Sequence, residues 1–310
     1  MLSRLVQGCV VSIVMTGLTA AAGDISGDAR IHGRFGDSEI VIKTTSRLAG
    51  AIDSLTWNGK EFINSTDHGR QLQSAANFDA GSRFTSETFN PTEAGSRFDG
   101  AGPKSTSKLL SLKVTGNRLE TRTRMAFWLR PGEKSSGHPA KNTVNLSNHI
   151  LTKRVTIGAR GLPNVIECVA TFTVPEGEAH TYAQFEAVTG YMPAEFSKFW
   201  AYDVRTGKLV PLSDGPGEQH LPVILATPTG SHAMGVYSDD QPSKGFERAG
   251  YGRFRFERQK VVKWNCVFRI RDAESGIKAG DYRYTSYVVV GSLDDVARSL
   301  RVLCRASVDR

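Results

Sequence analysis

Cysteine is scarce in this chain. Cys9, Cys168, Cys266 and Cys304 are the four among 310 residues, and no two stand at the close spacing that metal-finger modules use. A scaffold built on disulfides is excluded, and a chain of this length can form its core without one. The seven histidines (His32, His68, His138, His149, His180, His220 and His232) include no close pair at metal-ligand spacing, so the reading assigns no metal and no cofactor. A glycine-rich phosphate loop, a recognisable hydrolase triad and a Lys/Arg-rich block with interleaved aromatics are also missing. Their absence argues against nucleotide chemistry and against nucleic acid as a partner. After the first 22 residues no apolar run approaches the ~20 residues needed to cross a bilayer, so no membrane span is expected.

The first 22 residues do carry a pattern: Arg4 in a short basic start, an apolar stretch from Val10 to Leu18, and the small run Thr19-Ala20-Ala21-Ala22. This is the three-part form of a secretory signal peptide, which predicts a periplasmic or extracellular protein. Cys9 precedes the apolar stretch instead of following it, which argues against a lipid anchor. Cleavage would remove Arg4 and no acid, lowering the formal charge from +8 to +7. A basic balance favours anionic partners such as uronic-acid glycans or an anionic envelope, or else simply aids solubility.

Helical periodicity is nearly absent, while alternation of apolar and polar residues between Gly, Asn and Pro recurs along the chain. The clearest hairpin is Ser54–Ile63, because Asn58-Gly59 tolerates the positive φ of a tight turn. Two further hairpins turn at Gly116-Asn117 and across Gly158–Asn164. Additional strands are predicted at Glu39–Thr44, Pro222–Thr227, Ala233–Tyr237, Gly252–Glu257, Val261–Ile270 and Tyr282–Val290. Ser292 caps one short C-terminal helix, with Asp294 and Asp295 in its first turn and Val296, Leu300 and Leu303 on one face. The polar segments Asp67–Lys104 and Arg130–Asn148 read as long loops gathered along one rim. The expectation is an all-β protein, residues 23–310 forming one domain of two large antiparallel sheets.

Function is most legible in the segment from Ala179 to Gly190. If extended, it places His180, Tyr182, Gln184 and Glu186 on one face and Thr181, Ala183, Phe185 and Ala187 on the other. An imidazole, a phenol, an amide and a carboxylate in register equip a cleft for sugars. Aromatics follow at Tyr191, Phe196, Phe199, Trp200 and Tyr202, more as core than as sugar-stacking faces, and Trp128 and Trp264 read as strand core. Asp214–Glu218 and Asp239-Asp240 lack the ligand spacing of a calcium loop and read as solvated turns.

The segment Gly50–Gln73, GAIDSLTWNGKEFINSTDHGRQLQ, resembles the amino-terminal part of galactose-mutarotase-like proteins, in which a hairpin of this kind passes into a "GR" segment lining the sugar site. The resemblance implies a supersandwich of two large twisted antiparallel sheets with carbohydrate in the groove of one sheet. It carries Arg70 and Gln73 over as sugar-contacting positions. The histidine-glycine segment of aldose epimerases is absent after this motif, and Asn90–Gly95 stands in its place, which points away from mutarotation.

Among the candidates, Arg70 suits a sugar carboxylate through its planar fork of donors, or pairs with Asp67 to pin the turn that Gly69 allows. His68, His149, His180, Gln73 and Gln184 are expected to bind substrate. Glu93, stiffened between Pro91 and Gly95, is a candidate acid or base, or a stabiliser of its own turn. Glu186 is the second carboxylate. Burial would raise its pKa so that it keeps a proton, or it forms an ion pair with Arg154 or another strand arginine. Together Glu93 and Glu186 would supply the two carboxylates of glycoside hydrolysis. Tyr182 with His149 or His180 suggests instead β-elimination on uronic acids. The leading expectation is thus an exported enzyme that cleaves a glycosidic bond in a neutral or anionic poly- or oligosaccharide. A polysaccharide lyase and a non-catalytic sugar-binding envelope protein are the rivals.

Overall fold

The computed structural model describes residues 25–81, 83–240 and 250–308, with side chains as far as Arg305. The expected signal peptide, residues 1–22, and Cys9 lie outside the described residues. The chain opens with β1 (Ala29–Phe35), β2 (Ser38–Thr44), β3 (Ile52–Trp57) and the two-residue β4 (Lys60–Glu61). Next come β5 (Leu72–Phe78), β6 (Pro91–Thr92), β7 (Lys108–Thr115), β8 (Arg118–Phe127) and a small hairpin, β9 (Lys134–Ser135) with β10 (His138–Pro139). Three long strands follow, β11 (Leu146–Ile157), β12 (Val165–Val174) and β13 (Tyr182–Pro193). The remainder comprises β14 (Lys198–Asp203), β15 (Lys208–Leu212), β16 (Gly217–Gln219), β17 (Val223–Ala226) and β18 (Ala233–Tyr237), then β19 (Tyr251–Phe256), β20 (Val261–Arg271), β21 (Gly280–Gly291) and α1 (Leu293–Val308).

Every pairing is antiparallel. One ladder runs β15, β14, β17, β18, β21, β12, β11, β8, β7. The other runs β16, β19, β20, β13, β5 and continues through β3 to β2 and β1. The short β6 bonds to β5 on one side and β8 on the other, joining the two. The ladders face each other across a shared core, in which the rings of Phe172 on β12 and Phe185 on β13 lie 5.1 Å apart. The chain is therefore an all-β supersandwich with one C-terminal helix.

Local chemistry explains the hairpins and the helix. Asn58 and Gly59 both adopt positive φ, 47° and 72°, as a two-residue turn between twisted strands requires. At the C-terminus the Ser292 hydroxyl accepts from the Asp295 N–H, and the Asp295 carboxylate accepts from the Ser292 N–H. Val296, Leu300 and Leu303 of α1 then pack on Ile224, Tyr287 and Val289, covering the outer face of the first ladder near β18 and β21. With 16 residues the helix is longer than the short element expected.

Two differences from the sequence reading bear on the site. Asp67–Lys104 is not simply loop: it contains β5, which bonds directly to β13. The β5 sequence LQSAANF is poor in β-branched residues because small side chains alternate there beneath a groove, and that composition resembles a loop. Strand β13 is bulged between Glu186 and Thr189 against both neighbours. Beyond the bulge the alternation is re-phased, so Thr189 and Tyr191 share the outer face with Gln184 and Glu186 while Val188 and Met192 are buried.

Gly190 is the next residue on that strand and sits opposite Trp264. A Cβ there would lie 2.5 Å from atoms of the indole ring, which is fully buried. Gly190→Ala is expected to cost about 1–3 kcal/mol by overpacking. Urea denaturation would check this as a lower midpoint with an unchanged slope.

Candidate functional site

Strands β5, β13 and β20 each turn one face into the core and the other into a groove of about 410 Å3. Gln73, Ala75 and Asn77 come from β5, and Gln184, Glu186, Thr189 and Tyr191 from β13. Strand β20 adds Lys263, Asn265 and Arg269, alternating with the buried Val262, Trp264, Cys266 and Phe268. Phe254 and Phe256 of β19, Glu218 of β16 and Trp128 complete the walls. Trp128 lies against bare backbone: a Cβ on Gly69 would stand 2.6 Å from its ring. The close approach that Gly69 permits is therefore to an indole.

Each cation of the groove meets a carboxylate, while a third carboxylate, Glu87, accepts from the Ser135 hydroxyl. Lys263 Nζ lies 3.2 Å from Glu186 and 5.1 Å from the centre of the Tyr191 ring. Arg269 pairs with Glu218, and its Nε donates to the Gln184 side-chain oxygen at 3.3 Å. Burial alone would raise the Glu186 pKa, but the Lys263 ammonium, the Thr189 hydroxyl at 2.7 Å and Asn265 together hold it below the usual carboxylate value. Burial raises the Tyr191 phenol and keeps it protonated. Asn265 is itself oriented, because its side-chain oxygen accepts from the Gly252 N–H at 3.0 Å.

The row expected on β13 is therefore partly assembled. Gln184 and Glu186 face the groove, and the Tyr182 hydroxyl lies 3.5 Å from the Gln184 oxygen. Tyr182 is nevertheless buried, with the Phe84 ring 4.4 Å away and the Arg271 guanidinium 5.3 Å from its ring centre. Glu186 is ionised, not held protonated, and its partner is a strand lysine instead of Arg154. Gln73 lines the groove, with its amide nitrogen donating to the Gly69 carbonyl at 3.0 Å. Arg70 pairs with Asp67 at 3.2 Å and borders an adjoining cavity of about 330 Å3 that shares Gly69, Glu87, Trp128, Tyr191 and Phe256 with the groove.

The other candidates lie outside the groove, His68 in the wall of the cavity that Arg70 borders. Glu93 is fully buried, accepts from the Ser74 N–H at 2.9 Å and pairs with Lys153, an inward residue of β11 in the opposite ladder. Its neighbour Thr92 borders the groove while Glu93 belongs to the space between the sheets, so the Glu93–Glu186 pair does not form. His68 is buried, its ring nitrogens facing the main-chain oxygens of Gly100 and Arg47 at 2.7 and 2.9 Å. His180 precedes β13 and turns away from Gln184. With His149 it meets Glu178, at 2.9 and 2.7 Å, between Phe78 and Phe89. Among the described residues both histidines turn to Glu178, and the hydroxyl of Tyr182 lies by Gln184, so the pairing that β-elimination would use is not seen there.

Sequence reasoning missed Lys263, Asn265 and Arg269, although polar residues two apart in an apolar strand are a readable signal. It also placed Trp128 in the core and Glu218 in a solvated turn, where the structure puts both in the groove wall. Trp264, by contrast, is core as expected.

No protein-family model matches this chain, and no curated protein does. Several solved structures share its course. A protein from Synechocystis sp. PCC 6803 is 7% identical with a TM-score of 0.42, the match covering 85% of this chain and 96% of that one. An alpha-mannosidase from Enterococcus faecalis V583 is 10% identical with a TM-score of 0.49, covering 87% of this chain and 30% of that one. An alpha-galactosidase from Lactobacillus brevis is 10% identical with a TM-score of 0.40, covering 86% of this chain and 40% of that one. The chain thus spans well under half of the two glycosidases. These similarities concern the path of the backbone.

Two outcomes follow from the ion pairs. Lys153→Met should cost about 3–5 kcal/mol in urea unfolding by stranding the buried Glu93, with much of the loss recovered when Glu93→Leu is added. The Glu186 pKa is depressed on folding, so its pair adds stability above the unfolded carboxylate pKa and loses it as pH falls through the folded value. Glu186→Gln should flatten that part of the acid limb in a series of thermal melts.

Proposed function

We propose that the groove binds a saccharide, and a neutral one in preference to a uronic acid. The supporting observation is the composition of one depression of about 410 Å3, where side-chain amides and charged groups alternate with the rings of Trp128, Tyr191, Phe254 and Phe256. A pyranose offers an apolar C–H face and a rim of hydroxyls, which such walls complement by stacking and hydrogen bonding. The preference for neutral sugars follows from the pairing of Lys263, Arg269 and Arg70 with carboxylates, which leaves little uncompensated positive charge for an incoming one.

Cleavage of a glycosidic bond is the second reading, supported by the presence of three carboxylates, Glu87, Glu186 and Glu218, in the same groove. Ionised Glu186 would attack or activate water. On this reading Glu186→Gln abolishes release of reducing ends while binding persists. A β-eliminating lyase would instead generate ultraviolet-absorbing products. Export to the periplasm or medium is part of the proposal and rests on the pattern of residues 1–22.

Calorimetry against neutral and uronic oligosaccharides tests the binding claim directly. Trp128→Ala should weaken a neutral ligand by about five- to tenfold, as expected for one lost stacking face. Absence of binding across the neutral panel would sink the proposal.

A further inference from the structure

His149, Glu178 and His180 converge although 31 residues separate the two histidines in the chain. His180 Nδ1 lies against the Asp79 main-chain oxygen, which can only accept, so that nitrogen carries a hydrogen. In a neutral ring Nε2 is then a lone pair, and it faces Glu178 Oε2 at 2.9 Å. His149 Nε2 faces the same oxygen at 2.7 Å. The His180 lone pair and the carboxylate oxygen repel one another unless a cation lies between them, either a proton on the ring or a metal ion, and His149 Nε2 can meet the same oxygen as an N–H donor or turn a lone pair to a metal.

We propose that His149 Nε2, His180 Nε2 and a Glu178 carboxylate oxygen form a site for a divalent transition-metal ion of the zinc class. The donor set of two imidazoles and one carboxylate suits such an ion. The Nδ1 bond from His180 to a main-chain carbonyl is the kind of outer contact that fixes a ligating histidine in the required tautomer. Both histidine side chains are 2% exposed and packed on the Phe78 ring at 4.9 and 4.7 Å, so their rotamers are held. Glu178 is 23% exposed and, with His180, borders an open cavity of about 630 Å3. That opening gives the ion an entry path and room for a fourth, solvent ligand. Bonds of about 2.0–2.1 Å at tetrahedral angles hold donor atoms about 3.3 Å apart. The two His–Glu distances must therefore open by only about half an ångström, and all three donor atoms already lie within 4.8 Å of one another. His149 lies on β11 of one ladder and His180 leads into β13 of the other, so the ion would clamp the two sheets together.

The test uses the full exported chain after treatment with a chelator. Zinc chloride titrated by calorimetry should bind with a stoichiometry of one, and zinc at about a hundred times its Kd should raise Tm by roughly 5 °C. Glu178→Gln should weaken zinc at least tenfold, and His180→Gln should remove the shift in Tm. Should either variant fail to fold, Co2+ added to the wild type gives an independent reading. Intense visible bands of low-coordinate cobalt, abolished by one equivalent of zinc, are expected. No zinc binding, cobalt bands of the six-coordinate hydrated ion only, or equal affinity in folded Glu178→Gln would each overturn the proposal and leave protons as the cations of the trio.

Discussion

Strand β13 has to satisfy two environments at once, and the bulge between Glu186 and Thr189 is how it does so. Its inner face carries Ala183, Phe185, Val188 and Met192 into the shared core. Its outer face carries Gln184, Glu186, Thr189 and Tyr191. A strand of strict period two would have sent Val188 and Gly190 outward after Glu186, exposing an apolar side chain and burying the Thr189 hydroxyl and the Tyr191 phenol. One extra residue resolves the conflict and places the Thr189 hydroxyl where it donates to Glu186. The Ser74 hydroxyl donates to the carbonyl of Ala187, so β5 holds the bulge from the side.

The groove then inherits its electrostatics from the neighbouring strand. Register places Lys263 of β20 opposite Tyr191 of β13 and Arg269 opposite Gln184, so each cation falls beside the strand that carries groups able to accept from it. Burial would disfavour every one of these charges alone. Paired, Glu186 stays ionised and Lys263 is pushed further toward its charged form, the ordinary penalty of burial being outweighed by the partner carboxylate. A floor on which each cation is already met by a carboxylate can direct hydrogen bonds at hydroxyl groups without attracting an anion.

How much of this could be read beforehand differs by residue. Alternation and turn chemistry gave the hairpin at Asn58-Gly59, the positions of many strands, and Gln184 and Glu186 of the expected outward row, because these depend on neighbours in sequence, whereas Tyr182 and His180 of that row are buried. Glu93 could not be placed that way. Its position in a Pro/Gly-framed turn looks accessible, and only the arrival of Lys153, 60 residues later and from the opposite sheet, makes it an interior ion pair. Trp128 misled for the converse reason: a large ring at a strand end reads as core, yet the absence of a Cβ at Gly69 lets it lie over backbone at the groove wall. Spacing rules were equally blind to the His149–Glu178–His180 trio, whose closeness comes from the meeting of β11 with the segment before β13.

That meeting links the two polar assemblies mechanically. Glu178 and His180 lie immediately ahead of β13, and Asp79, just past β5, ties the same segment down by accepting from the N–H groups of Thr181 and Tyr182. Strands β5 and β13 therefore leave this point already in register, and the groove residues Asn77 and Gln184 are the first outward pair beyond it. The contacts of Asp79 with Thr181 and Tyr182 fix where β13 begins, and the meeting of His180 with Glu178 and His149 holds the residues just before it. An error of one residue there would turn Gln184 and Glu186 toward the core and Phe185 toward the groove. Asp79 and the ladder with β5 thus set the phase at which the strand starts, and the bulge shifts that phase once Glu186 has been delivered.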